Sequence, residues 1–166
     1  MGIKVRHDGQ WVETGGGVDF TNDAIISGTY TFQGGVNMQN LLTEEVNITT
    51  GKLSNNTNID LENGMIHLFT ITETTTSTPN IRYNASTSLN SNMSIGQSIV
   101  VTLITTAAAA AFSANITIDG VGVTENWIGG SAPTAGGSSG VDVHSFTIIK
   151  TANATFTVIG MHITTS

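Results

Sequence analysis

Residues 144–159 read HSFTIIKTANATFTVI, and this stretch predicts the fold class. Hydrophobic and small polar residues alternate through it, so Phe146 and Ile148 fall on one face of an extended chain. Its two runs, residues 144–150 and 155–159, are rich in β-branched residues and are separated by a short segment. A period of two with this composition is typical of β-strands joined by turns.

The same pattern recurs upstream in residues 65–72, 98–105 and 112–119. Asn63-Gly64 and Asp119-Gly120 are turn dipeptides. The chain is therefore predicted to be all-β, with an antiparallel β-sandwich of jelly-roll-like type over residues 47–166. We expect Phe112, Ala114, Ile116 and Ile118 to share one face of residues 112–119. The core is expected to include the following side chains: Val101, Leu103, Ile116, Ile118, Trp127 and Phe146.

Two short segments do not fit the strand pattern. Residues 107–111 are five alanines, too short for a stable helix, and are predicted to form a tight bend between strands. Residues 38–46, MQNLLTEEV, are the only plausible helical turn in the first half of the chain.

The first residues predict a small hairpin, because Asp8-Gly9 is a favoured two-residue turn between two apolar runs. Three glycines, residues 15–17, follow it. Two strands alone are marginal in water, so this segment is expected to pack on a neighbouring chain or another protein. Residues 1–46 are thus predicted to form an extended N-terminal arm and a Gly-rich stem, with these assembly residues: Ile3, Val5, Trp11 and Val12.

The composition excludes several classes of function. Net charge is −7, and the five Lys and Arg residues are scattered, which disfavours nucleic-acid binding. The absence of Cys excludes disulfides and thiolate sites. No apolar run is long enough for membrane insertion, and the N-terminus does not resemble a secretory signal. Charged residues make up only 10% of the chain, which favours a β-surface packed by neighbours over that of a typical enzyme.

Residues 136–144, GGSSGVDVH, contain the pattern G-x-S-x-G followed by Asp142 and His144. A hydrolase requires Ser138 to lie on a turn between a strand and a helix. Here a loop precedes the serine and a strand follows it. The match is interpreted as accidental, although Asp142 and His144 should share one face of that strand. No catalytic residue is assigned.

The remaining candidate sites are weaker. The four histidines form neither H-x-H nor H-x-x-x-H, and a pair on a strand does not make a metal site, so no metal and no cofactor are expected. Trp127 and Tyr83 are candidate receptor contacts, since an aromatic ring can stack on a sugar. The alternative for Trp127 is a core position, because an aromatic side chain buries a large area.

Three stretches resemble a known family. Residues 2–13, GIKVRHDGQWVE, resemble the start of virion structural proteins from marine cyanophages and related tailed phages. Residues 58–72 and 125–146 resemble a β-domain near the ends of phage tail-fibre and appendage proteins. The matching positions in these two stretches are Asp60, Leu61, Gly64, Trp127, Gly129, Gly130, Ala132, Pro133, Gly136, Gly137, Gly140, Val141, Asp142 and Phe146.

This resemblance implies a non-enzymatic protein of the virion surface, similar to a tail fibre. It would assemble as a homo-oligomer, with a trimer favoured, and with other virion proteins of the tail or capsid. A host-surface glycan is a further implied partner. Only residues 14–46 remain for a shaft, which leaves two alternatives: a capsid decoration (cement) protein, or a carbohydrate- or receptor-binding module.

Overall fold

The computed structural model describes residues 3–7, 10–14 and 41–165, which fall into two compact units, residues 1–41 and 42–166. The first unit contains strands β1 (Ile3–His7) and β2 (Gln10–Thr14), which pair antiparallel from Ile3↔Thr14 to His7↔Gln10. This pairing agrees with the predicted hairpin. The turn residues Asp8 and Gly9, and the glycines that follow, lie outside the described residues.

The second unit contains the other elements, in this order: β3 (Val46–Thr49), β4 (Asn58–Asp60), β5 (Ile66–Glu73), β6 (Asn80–Arg82), α1 (Leu89–Asn92), β7 (Ser98–Ala107), β8 (Thr117–Ile118), β9 (Val121–Gly122), β10 (Glu125–Trp127), β11 (Val141–Ala152) and β12 (Thr155–Thr164). Single 3-10 turns, Leu53–Asn55 and Leu61–Asn63, flank β4.

The first six strands of this unit alternate between two sheets. Strands β3, β5 and β7 are parallel neighbours in a six-stranded sheet ordered β10-β12-β11-β7-β5-β3. Strands β4, β6 and β8 are parallel neighbours in a four-stranded sheet ordered β4-β6-β8-β9. The chain therefore coils through three successive turns, each contributing one strand to each sheet, as in a β-solenoid.

The prediction of an antiparallel fold is consequently wrong for five of the nine strand pairs in the described residues, and the jelly-roll-like connection is not confirmed. Both sheets are mixed, because each strand of the coil crosses to the opposite sheet before the chain returns in the same direction. Antiparallel pairing is restored at the end of the chain, where β11 lies between β7 and β12. Strand β10 adds to β12 in parallel.

Side chains of both sheets form one hydrophobic core. Ile59, Ile81 and Ile118 lie directly beside one another across β4, β6 and β8, and all are buried. On the other sheet, residues 141–150 of β11 alternate between partly exposed and buried. The predicted core residues Val101, Leu103, Ile116, Ile118 and Phe146 are buried, and Trp127 is partly buried against this core.

Two local predictions fail and one is confirmed. Residues 112–116 are not a strand, and Ala111 and Ser113 are buried in place of Phe112 and Ala114. Of the predicted helical turn, residues 38–40 lie outside the described residues, residues 41–45 have no regular structure and Val46 begins β3. The α-helix in the described chain, α1, lies elsewhere. The alanine segment does form a bend, closed by a hydrogen bond from Ala111 N to Ala108 O of 2.8 Å.

Candidate functional site

The Gly-rich loop before β11 lies directly over a buried carboxylate. The backbone N–H of Gly137 donates to both carboxylate oxygens of Asp142, at 3.1 and 2.9 Å. A Cβ at Gly136 would come within 2.3 Å of Ala111 O and 2.8 Å of Asp142 Oδ2. Glycine at this position is therefore required by close approach, and the loop seals Asp142 from solvent.

Asp142 belongs to a buried cluster with two histidines, which we call the Asp-His-His cluster (Asp142, His144 and His162). His162 Nε2 lies 3.3 Å from Asp142 Oδ2. The two imidazoles stack, with ring centroids 4.3 Å apart and an interplanar angle of 15°. Asp142 and His144 share one face of β11, as predicted, while His162 is the direct neighbour of His144 on β12.

His144 is held as a neutral imidazole. Its Nε2 accepts a hydrogen bond of 3.2 Å from Ser113 N, and its Nδ1 is buried without a partner. Burial lowers the pKa of His144 to about 3, and the proximity of His162 acts in the same direction. A ring in this state supports packing, because protonation would place a charge in the core.

The cluster does not have the geometry of a hydrolase. Ser138 is exposed, whereas Asp142 and His144 are buried. The carboxylate of Asp142 interacts with His162 and with the backbone of Gly137, and His144 Nε2 already accepts a backbone hydrogen bond. A serine nucleophile requires a histidine that accepts a hydrogen bond from the serine hydroxyl and a carboxylate that orients this histidine. The contacts of His144 and Asp142 do not provide this arrangement for Ser138.

The second feature of the resembling stretch is the packing of Trp127. Its indole meets Phe146 edge-on, with ring centroids 5.8 Å apart and an interplanar angle of 72°. It also covers Gly160, where a Cβ would lie 2.9 Å from Trp127 Cε3. Gly160 pairs with both Trp127 and Phe146 in the sheet, so the indole occupies the space that a side chain at Gly160 would fill.

Sequence reasoning missed two buried charged groups. Glu73 accepts hydrogen bonds from Ser54 N, Ser54 Oγ and Thr74 N at 2.7–2.9 Å. Burial raises the pKa of Glu73, but these bonds and one from Thr75 N outweigh it and lower the pKa overall. Lys150 donates to the carbonyls of Asn90 and Met93 at the end of α1. The side chains of Glu73 and Lys150 therefore both form hydrogen bonds with backbone groups of this chain.

The sequence-predicted site residues are divided between the two units. Ile3 and Val5 lie in β1 and Trp11 and Val12 in β2, where Val5 pairs with Val12. The two candidate receptor contacts lie in the other unit: Trp127 ends β10, and Tyr83 follows β6. Each of these two is partly exposed.

Within residues 41–165, no three His, Asp or Glu side chains are placed to hold a metal ion. The described helical segments include none that combines the length and the hydropathy needed to cross a bilayer.

Comparison with known proteins identifies no relative. No family model, no curated protein and no solved structure matches this chain.

Proposed function

We propose that this chain is a non-enzymatic structural protein of a phage virion, a tail-fibre-like surface appendage that assembles with itself and with other virion proteins. One observation supports the proposal: five of the residues that bear the resemblance have packing roles. Trp127 packs on Phe146 and over Gly160, while Gly136 and Gly137 cover Asp142. Packing roles for these five residues are compatible with a structural protein that assembles.

The proposal includes two finer structural features. The two sheets would pack as a β-sandwich over the shared core, and residues 1–46 would form an arm that contacts neighbouring proteins. The shared core of buried residues from both sheets supports the first. The pairing of β1 with β2 in a compact unit separate from residues 42–166 supports the second.

Localisation on purified particles tests the proposal. Antibodies raised against this chain should label intact particles of the phage that encodes it, and a tail-fibre-like appendage requires the label at the tail. A label confined to heads would instead favour a capsid decoration protein. Absence of the chain from purified particles would refute both.

The arm is tested by deleting residues 1–13 and measuring incorporation into particles. We expect the truncated chain to be lost from particles while residues 42–166 remain folded. Incorporation at the level of the full chain would show that the hairpin is not the assembly element.

A further inference from the structure

The face of the six-stranded sheet that points away from the core carries a continuous apolar row. Strand registers place five aliphatic side chains directly beside one another, from five different strands: Ile48, Leu68, Ile104, Val143 and Ile163. We call these five residues the aliphatic row. The residues that precede them in β5, β7 and β11, namely His67, Leu103 and Asp142, are buried, so the row lies on the opposite, outward face.

The aliphatic row is accessible and is extended on one side. Ile48 is 64% exposed and Ile163 is 49% exposed. On the same face, Val46 in the adjacent row and Val100 in the row beyond it are also exposed. Single exposed aliphatic residues are ordinary on a protein surface, but a contiguous patch across five strands is typical of an interaction site.

Charge restricts which partner can cover this face. Among the described strand residues that point outward from the six-stranded sheet, the side chains are aliphatic, Met, Ser, Thr or Asn, and none is charged. The whole chain carries a net charge of −7. Two copies therefore repel each other in most orientations, and a face without charge is where they meet at the lowest electrostatic cost.

The shape and chemistry of the face also favour a second sheet over a sugar. The outward strand residues in the described chain include no aromatic ring on which a glycan could stack. Aliphatic rows on a pleated surface instead interdigitate with another such surface about 10 Å away. A second copy of this chain presents the complementary surface.

The size of the face is sufficient for a specific contact. Six strands at about 4.8 Å spacing, and up to nine residues at about 3.3 Å, enclose roughly 600–800 Å² when the short edge strands are allowed for. A standard protein interface buries about 800 Å² on each partner.

We propose that two copies of this chain associate by packing their aliphatic rows face to face. This inference rests on the proposed function, since it names the surface through which the appendage would assemble with itself. The contact buries apolar area without bringing charged groups together.

Glutamate substitution with a matched control tests the contact. Ile48→Glu places a charge in the aliphatic row, whereas Ile95→Glu places one at an isoleucine that is equally exposed (65%) but lies outside the sheet. In sedimentation equilibrium of the full chain, Ile48→Glu should weaken self-association by a factor on the order of 100, and Ile95→Glu should leave it unchanged. The double variant Ile48→Thr/Ile163→Thr keeps β-branched side chains and should act in the same direction if Ile48→Glu disturbs folding.

Three outcomes would overturn the inference: a wild-type chain that remains monomeric at its highest soluble concentration, association that neither row variant weakens, or association that Ile95→Glu weakens equally. Particle labelling is a separate measurement. If the chain is present in virions but Ile48→Glu does not weaken its self-association, only this contact is refuted. A chain that associates through the row but is absent from particles refutes the proposed function alone.

Discussion

At the scale of single residues, Gly160 and Trp127 form a matched pair. The indole occupies the place of the missing side chain at Gly160 and reaches Phe146 beneath it. Strand propensity does not explain this pair: Trp favours a strand, but glycine weakens one, and the alternation pattern alone does not specify their contact.

Gly160→Ala is therefore expected to destabilise the protein by about 1–3 kcal/mol, because the new Cβ would lie 2.9 Å from the indole and force it to move. Urea unfolding measures the effect. Gly122→Ala is the control, since a Cβ there meets no atom within 4 Å. Equal effects of the two substitutions would contradict the role assigned to Gly160.

Trp127→Ala distinguishes a packing role from a sugar platform. A partly buried indole that contacts Phe146 should cost about 2–4 kcal/mol on truncation, somewhat less than a fully buried aromatic residue. The melting temperature should fall clearly. An unchanged melting temperature combined with loss of glycan or cell binding would instead assign Trp127 to receptor contact.

His144 gives stability a dependence on pH. Its pKa is about 3 in the folded protein and about 6.5 in the unfolded chain. As pH falls below 6.5, the unfolded state binds a proton that the folded state does not, so the free energy of unfolding decreases. The stabilisation is complete above pH 6.5 and is lost progressively down to pH 3.

Between pH 6.5 and 4.5 this loss should amount to roughly 2–3 kcal/mol. His144→Asn removes the titrating group, and the slope of unfolding free energy against pH should decrease by about one bound proton. The pKa of His67 is also lowered by burial, so part of the slope will remain. A wild-type slope of zero over this range would show that His144 is not buried as a neutral ring.

At the scale of elements, α1 depends on groups from other strands. Four residues are too few for a stable helix. Asp119, in the turn after β8, accepts from Leu89 N at 2.7 Å and Asn90 N at 2.9 Å. Lys150, on β11, donates to the carbonyl of Met93 at 2.8 Å. The helix is thus held at both ends by side chains distant in sequence.

Asp119→Gly should cost about 1–3 kcal/mol, because two backbone N–H groups lose their acceptor. Glycine suits this test because Asp119 has a φ of 52°, which glycine adopts without strain. Asp119→Asn tolerates the same φ and keeps one acceptor, so urea unfolding should place it between the wild type and Asp119→Gly. If Asp119→Gly matches the wild type, the capping role is incorrect.

The register of the β11–β12 hairpin determines that His162 belongs to the Asp-His-His cluster. Ala152 pairs with Thr155, but the register shifts between Lys150 and Ala152, so His144 pairs with His162. A hairpin without this bulge would pair Ser145 with His162 and turn the histidine to the outer face. The contact of His162 with Asp142 therefore depends on one extra residue in β11.

At the scale of the whole molecule, the hydrophobic core that the structure describes lies within residues 42–166. All fourteen buried residues of the hydrophobic cluster lie between Leu53 and Val158. A chain of residues 42–166 should therefore fold cooperatively, with a single urea transition close to that of the full protein. An unfolded fragment would show that residues 1–41 are needed for stability.

The sequence by itself determined the β-class, the strands around residues 66–73, 98–107 and 141–164, and the bend at the alanines. It also placed Phe146, Val101 and Leu103 in the core. These features depend on alternation and turn residues within a few positions, which a linear pattern records directly.

Tertiary structure alone decided the strand directions, the contact of His162 with Asp142 and the long-range hydrogen bonds at both ends of α1. Parallel and antiparallel strands share the same alternation, so only the crossing of each strand to the opposite sheet determines direction. His162 reaches Asp142 through a one-residue bulge, and α1 forms where Asp119 and Lys150 supply its end groups. Each of these features depends on contacts between residues that are distant in sequence. Local periodicity carries no information about such contacts.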